Sequence, residues 1–285
     1  MITRGGRASG PDKAATATSE KLLTVGVDIG MRTVKIALLN HTGGAPRVVA
    51  VDTVPVQGRR DDRDAEVAVR ESWARLLRSA GVTPTDIALV ASTGTKERAI
   101  VHVGHFYRRL SLAAGARFLL PDAAAVLDIG ARQMRCAQVG GATTDRRHAT
   151  TRTDMICGGE IVEAIARRTG VAIEAAGLSP AGVTALDDLA ARAAKLLGTL
   201  ALDGPTFVTG ALALNLGFVR ILAARLVEVR LLTRLVVLPD AIFAAAYGAA
   251  LLAARRYLRV VGADARREAA SERRRLSPVD RLILN

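Results

Sequence analysis

Apolar positions along the chain fall into two separate β-rich openings, each followed by helical periodicity. From Leu22, the runs Leu23–Ile29, Val34–Asn40 and Val48–Val54 read as three strands, divided by short polar or glycine-containing turns and closed by Pro55. Asp64–Ser79 then places Val67, Trp73, Leu76 and Leu77 at helical spacing, with Gly81 just past the end as a stop. A short buried strand, Ile87–Ala91, runs into Ser92-Thr93-Gly94. Alternation of this kind predicts an α/β lobe.

The second opening starts at Ala123–Gly130 and continues through Gln133–Val139 and Arg147–Thr153. Asp128-Ile129-Gly130 stands at the same place in its strand–turn–strand unit as Asp28-Ile29-Gly30 does in the first, which points to an internal duplication. Beyond it the pattern predicts helices over Gly159–Thr169, Leu186–Leu197, Leu212–Leu226 and Ala241–Tyr257, and strands over Thr206–Thr209 and Leu235–Leu238. The expected organisation is a disordered leader over 1–20, a first lobe over 21–120, a second lobe over 121–238, a closing helix over 239–260 and a mobile, Arg-rich tail over 261–285.

Composition narrows the function classes. Half of the 285 residues are apolar, enough to bury a sizeable core. The formal charge is +13, but aromatic residues make up only 3%, which leaves little for a base-stacking surface, so no nucleic-acid partner is expected. A positive field of this size still favours polyphosphates and acidic partners. The longest apolar run, Ala241–Ala254, is fourteen residues long, short of a bilayer span, and the leader lacks the apolar core of a signal peptide. Two cysteines, Cys136 and Cys157, make no disulfide framework and suit a reducing cytoplasm, the expected location.

Three glycine junctions carry the candidate chemistry. At Asp28-Ile29-Gly30-Met31-Arg32-Thr33, a glycine at the turn lets backbone N–H groups approach phosphate oxygens, and an aspartate at the strand end can hold Mg²⁺, usually through water. Lys35 lies two residues further on, as a phosphate contact or a solvated charge. Taken alone, such a turn is equally an ordinary hairpin. Asp128-Ile129-Gly130-Ala131 supplies a second turn able to clamp a phosphate chain from the other side, and Phe207–Gly210, leading into a helix expected near Leu212, supplies a third. Their order favours a nucleotide cleft. His105, beside Phe106 and Tyr107, reads as a packed core or interface residue.

These segments, with Thr209–Asn215, Pro239 and Tyr247–Leu251, resemble the phosphate and adenosine motifs of the actin, sugar kinase and heat-shock chaperone superfamily. Within it, Ser92-Thr93-Gly94, Gly104-His105-Phe106-Tyr107, Ala114–Arg117, Pro121–Ala123 and Val126–Ala131 are similar to the ATPase subunits of benzoyl-CoA reductase, above all the D-type, and to the related 2-hydroxyacyl-CoA dehydratase activators. The resemblance covers about Leu22–Leu251. It implies a two-lobed actin-like ATPase (ribonuclease H-like) fold with an interlobe nucleotide cleft and ATP and magnesium as cofactors. Asp28 and Asp128 would be the catalytic and magnesium-positioning residues, with Gly30, Met31, Arg32, Thr33, Lys35, Gly130, Ala131, Gly210, Ala211 and Asn215 around the nucleotide.

The resemblance also implies a [4Fe–4S] cluster shared between two such subunits, in a system that couples ATP hydrolysis to electron transfer into reductase or dehydratase subunits. The sequence departs there. A gapless match of the family's Phe-Leu-Glu to Ile161-Val162-Glu163 puts Asp154 where the first cysteine ligand belongs, Cys157 falls three residues late, and no cysteine follows it. Met31 and Ala211 also replace the usual Ser or Thr and the usual second glycine. The chain alone is therefore expected not to hold a cluster, and to associate with a related ATPase subunit or with itself. The competing readings are a degenerate nucleotide-binding regulatory or scaffold module without a cluster, and a small-molecule kinase whose base and acceptor pocket the sequence does not identify.

Overall fold

The computed structural model describes residues 21–56, 62–94, 104–139, 148–152, 158–172, 175, 180–200 and 202–275. Its first sheet follows the order β3-β2-β1-β4, where β1 is Leu23–Ile29, β2 Thr33–Asn40, β3 Arg47–Pro55 and β4 Ile87–Gly94. The first three form an antiparallel meander, and β4 lies parallel to β1 after a crossover through helix α1, Asp62–Ala80. The second sheet has the order β7-β6-β5-β8-β9, where β5 is Ala125–Ile129, β6 Gln133–Gln138, β7 His148–Arg152, β8 Thr206–Thr209 and β9 Leu235–Val236. It repeats the same plan: an antiparallel meander, then β8 parallel to β5 after a crossover through α3, Gly158–Thr169, and α4, Pro180–Leu197.

Alternation along β2 divides the first core. Val34, Ile36 and Leu38 join Ala65, Ala68, Val69 and Leu76 of α1 on one face. Ala37 and Leu39 meet Phe243, Ala246, Tyr247 and Ala250 on the other. The last three belong to α6, Ala244–Arg275. Because β1 lies between both layers, all seven of its residues are buried.

The apolar pattern assigns no element to 108–119, yet this stretch is helix α2, Arg108–Leu119. Its apolar contrast is weak because small residues line its contact with α6. A Cβ at Gly115 would overlap the carbonyl of Ala244, and one at Gly248 would overlap that of Ser111, so the two helices pack nearly backbone to backbone. Leu112 and Ala116 of α2 enter the core of the second sheet while α6 covers the first. The α2–α6 pair is thus the layer between the lobes, and it fixes where the first residue of α2 stands.

Two further elements differ from the sequence expectation. The helix expected near Leu212 is α5, Leu216–Glu228; the chain after Gly210 first makes a turn, and Asn215 caps the helix by accepting from the Phe218 amide at 2.9 Å. The closing helix also does not stop near residue 260. It continues to Arg275, since the Ala, Arg and Glu that fill this basic stretch are good helix formers and outweigh Gly262.

Candidate nucleotide site

Each lobe presents the same edge. At the β1–β2 turn the Gly30 amide donates to the Thr33 carbonyl at 3.0 Å, and at the β5–β6 turn the Gly130 amide donates to the Gln133 carbonyl at 3.0 Å. Asp28 and Asp128 are the penultimate residues of β1 and β5, opposite Thr93 and Thr209 on the parallel neighbours. Those neighbours lead into Gly94, the last residue of β4, at φ +103°, and Gly210, the residue after β8, at φ +93°, where a side chain would run into the carbonyl of Ile29 or Ile129. The duplication inferred from the two aspartate turns therefore extends to a second pair of junctions. Gly94 is a site glycine that sequence reasoning misses; the signal for it is a Thr-Gly pair ending a strand in both halves.

Between the two edges lies Arg108, the first residue of α2. Its Nη1 donates to Asp28 Oδ1 at 2.5 Å, its Nη2 to Asp28 Oδ2 at 3.3 Å and its Nε to Asp128 Oδ2 at 3.0 Å. Both carboxylates are only 1% exposed. Each has a second cation in its own sheet, at the same register position: Lys35 Nζ is 3.9 Å from Asp28 and Arg135 Nη1 is 3.7 Å from Asp128. Burial works against the charge on Arg108, but Asp28 and Asp128 more than offset it and raise its pKa above the ordinary guanidinium value. Burial dominates at Lys35, with Arg108 adding to it and the aspartates opposing, so this amine's pKa is lowered. Lys35 also donates to Thr33 Oγ1 at 2.8 Å.

The two turns are tied together by α3. Arg32 donates to Glu163 Oε2 at 2.6 Å, with its Nε 3.9 Å from Glu160, while Arg132 donates to Glu160 Oε1 at 3.2 Å. Arg32 and Arg132 hold equivalent places after Gly30 and Gly130, and the half-buried Met31 and Ala131 lie between. Ala211 is exposed just beyond Gly210, whereas Asn215 is buried and spends its carboxamide oxygen on the α5 cap. The structure thus gathers Asp28, Lys35 and Asp128 around Arg108, joins Arg32 and Arg132 of the two glycine turns to α3, and sets Gly210 beside Ile129.

Of the two cysteines, Cys136 is buried in β6, and Cys157 lies outside the described residues. Burial pushes the Cys136 thiol up to about 12, and its Sγ donates to the Leu196 carbonyl at 3.5 Å. His105 packs beside β4, its Nδ1 3.1 Å from Ser92 Oγ. Among the described residues, no cluster of three or more His, Cys, Asp or Glu has a metal-holding arrangement. No helix among them is long and apolar enough to cross a membrane.

Mg²⁺ needs oxygen ligands in a near-octahedral shell and commonly takes one or two carboxylates. Here three of the four oxygens of Asp28 and Asp128 are engaged by the Arg108 fork, and only Asp128 Oδ1 is buried without a hydrogen-bond partner. A divalent cation directly between these carboxylates would meet the guanidinium at contact distance. The residues do not fit direct Mg²⁺ coordination while Arg108 is seated.

No family model matches the chain. Two solved structures share its fold: component A of the (R)-2-hydroxyglutaryl-CoA dehydratase of Acidaminococcus fermentans, with a TM-score of 0.69, 18% identity and coverage of 83% of this chain and 99% of that one; and the activator of the 2-hydroxyisocaproyl-CoA dehydratase from Clostridium difficile with bound ADPNP, with a TM-score of 0.70, 18% identity and coverage of 85% and 97%. The fold is that of the actin-like ATPases. The D-type subunit of benzoyl-CoA reductase from Thauera aromatica is 30% identical over 269 residues, spanning 82% of this chain and 94% of that protein. With near-complete coverage of that relative, a duplicated lobe plan and paired aspartate turns, the chain belongs to the family of benzoyl-CoA reductase D-type subunits.

Proposed function

We propose that this protein is an ATP-binding subunit of a reductase or activase-like system of the benzoyl-CoA reductase and 2-hydroxyacyl-CoA dehydratase activator kind, working in the cytoplasm with a related ATPase subunit or a second copy of itself. The observation that carries the reading is the duplicated edge, in which Gly30 and Gly94 of one sheet hold the same places as Gly130 and Gly210 of the other, with Arg108 bridging the aspartates beside them. The Gly30 and Gly130 amides close their own turns, so phosphate oxygens would be met by other groups of the turns, and Arg32, Lys35, Arg108, Arg132 and Arg135 provide the positive field. The activator that shares this fold carries bound ADPNP, which supports nucleotide binding. Hydrolysis coupled to electron transfer would require Asp28 and Asp128 to position water and charge in the transition state.

A second reading is favoured by one specific contact. Asp28 and Asp128 are already committed to Arg108, which suits a module that binds nucleotide and transmits its presence to a partner without turning it over quickly. Calorimetry with ATP and ADP, alongside a phosphate-release assay, separates the two. Binding with turnover supports the coupled ATPase, and binding without turnover supports the regulatory module. Folded protein that binds neither nucleotide at millimolar concentration overturns both.

A further inference from the structure

We propose that Arg108 is the resident cation of this cleft: its guanidinium takes the place between Asp28 and Asp128 that a divalent cation would occupy, so the aspartates bind no divalent metal and nucleotide binds without one. The part concerning nucleotide rests on the reading above; the part concerning metal stands on the ion pairs alone.

The geometry is that of a fork with two prongs to one side and one to the other. Nη1 and Nη2 face Asp28, and Nε faces Asp128, so one planar group satisfies a carboxylate from each lobe. A guanidinium stays charged at every accessible pH, unlike a lysine or a histidine in the same place. The formal charges agree with this occupancy. Lys35 and Arg135 stand behind the aspartates, so two negative groups already face three positive ones, and a divalent ion would enter a site that is positive before it arrives. A polyphosphate, by contrast, meets that excess favourably.

Arg108 is also not free to leave. It begins α2, whose backbone is held against α6 by the close approaches at Gly115 and Gly248, and its side chain is only 17% exposed. Swinging it out would leave the two buried carboxylates only the more distant Lys35 and Arg135, at 3.9 and 3.7 Å, and no hydrogen-bonded counter-charge between them. Arg108 therefore acts as a fixed cross-link between lobes as well as a charge.

The test uses the full-length protein and two probes, Mn²⁺ alone and ADP. Free Mn²⁺ is followed by electron paramagnetic resonance, and ADP binding by calorimetry in EDTA and in millimolar MgCl₂. Wild-type protein is expected to bind no Mn²⁺ at Asp28 and Asp128, and to bind ADP within about threefold in the two buffers, well under the tenfold that 1.4 kcal/mol represents. Arg108→Ser is expected to gain a Mn²⁺ site, which a further Asp128→Asn substitution removes. Wild-type Mn²⁺ binding that Asp128→Asn abolishes, or an ADP affinity that falls more than about tenfold in EDTA, overturns the proposal. If Arg108→Ser gains the Mn²⁺ site while wild type binds no ADP in either buffer, the metal exclusion holds and the nucleotide reading fails. Should Arg108→Ser not fold, the wild-type measurements still decide the matter.

Discussion

Arg32, in the first lobe's turn, donates to Glu163, on a helix of the second lobe, at 2.6 Å. Both side chains are 28% exposed, so the pair is partly screened and contributes no more than about 1 kcal/mol. Its effect is on lobe closure more than on folding. Glu163→Gln, or a rise in salt from roughly 0.05 to 0.5 M, should loosen the link between the lobes with little loss of stability. Small-angle scattering should show a larger radius of gyration for the variant and a smaller salt response than in wild type. An unchanged radius in both would mean that α2 and α6 alone hold the lobes together.

The four glycines of the site should not be equally replaceable. A Cβ at Gly130 would meet only the Gln133 carbonyl at 3.4 Å, whereas Gly210 combines a φ of +93° with direct overlap on Ile129. Gly210→Ala should therefore destabilise the protein by at least about 1–3 kcal/mol from backbone strain alone. Gly130→Ala should stay within roughly 1 kcal/mol. Urea titration of the two variants reads this directly, and equal losses would contradict the junction geometry described above.

Stability should also fall on mild acidification, for a reason far from the cleft. Thr24 donates its hydroxyl hydrogen to the Ala250 carbonyl at 2.9 Å, so its oxygen receives the His41 Nε2–H at 2.8 Å. Burial lowers the pKa of His41 below its ordinary 6.5, which means the unfolded chain binds a proton more readily than the folded one. The contribution is fully present above pH 6.5 and is lost as pH falls from there through the lowered folded value. Thermal melts at pH 7.5 and 5.5 should show it, and His41→Gln should shrink the difference. A variant with the same pH response as wild type would place the sensitivity elsewhere.

Much of this arrangement is legible in the residues, and the missing part has a physical cause. The meanders stand out because β1 and β5 are buried on both faces and read as continuous apolar runs ending in the same aspartate turn. Helix α2 does not stand out, because a helix that packs through Ser111, Gly115 and its alanines carries no large apolar stripe. Arg108 is hidden for a different reason. Its partners lie 80 residues before it and 20 after it, and no local pattern announces a contact that depends on two sheets closing on one helix end. Helix α5 starts later than the apolar pattern predicts because Leu212 and Ala213 are buried in a turn and mimic the first apolar positions of a helix.

A [4Fe–4S] cluster requires thiolates, and Cys136 is buried inside β6, where burial pushes its thiol up to about 12 and keeps its sulfur from solvent. That leaves Cys157 as the remaining thiol in the sequence, so a homodimer has at most one candidate ligand per chain where a shared cluster needs two. Anaerobic reconstitution of the protein alone should therefore give no stable cluster, and iron should appear only on co-expression with a related subunit that brings the missing cysteines. Iron and sulfide analysis after size-exclusion chromatography distinguishes these cases. About four irons per homodimer, lost in Cys136→Ser as well as in Cys157→Ser, would mean that β6 opens to expose Cys136 and that the chain can carry the cluster unaided.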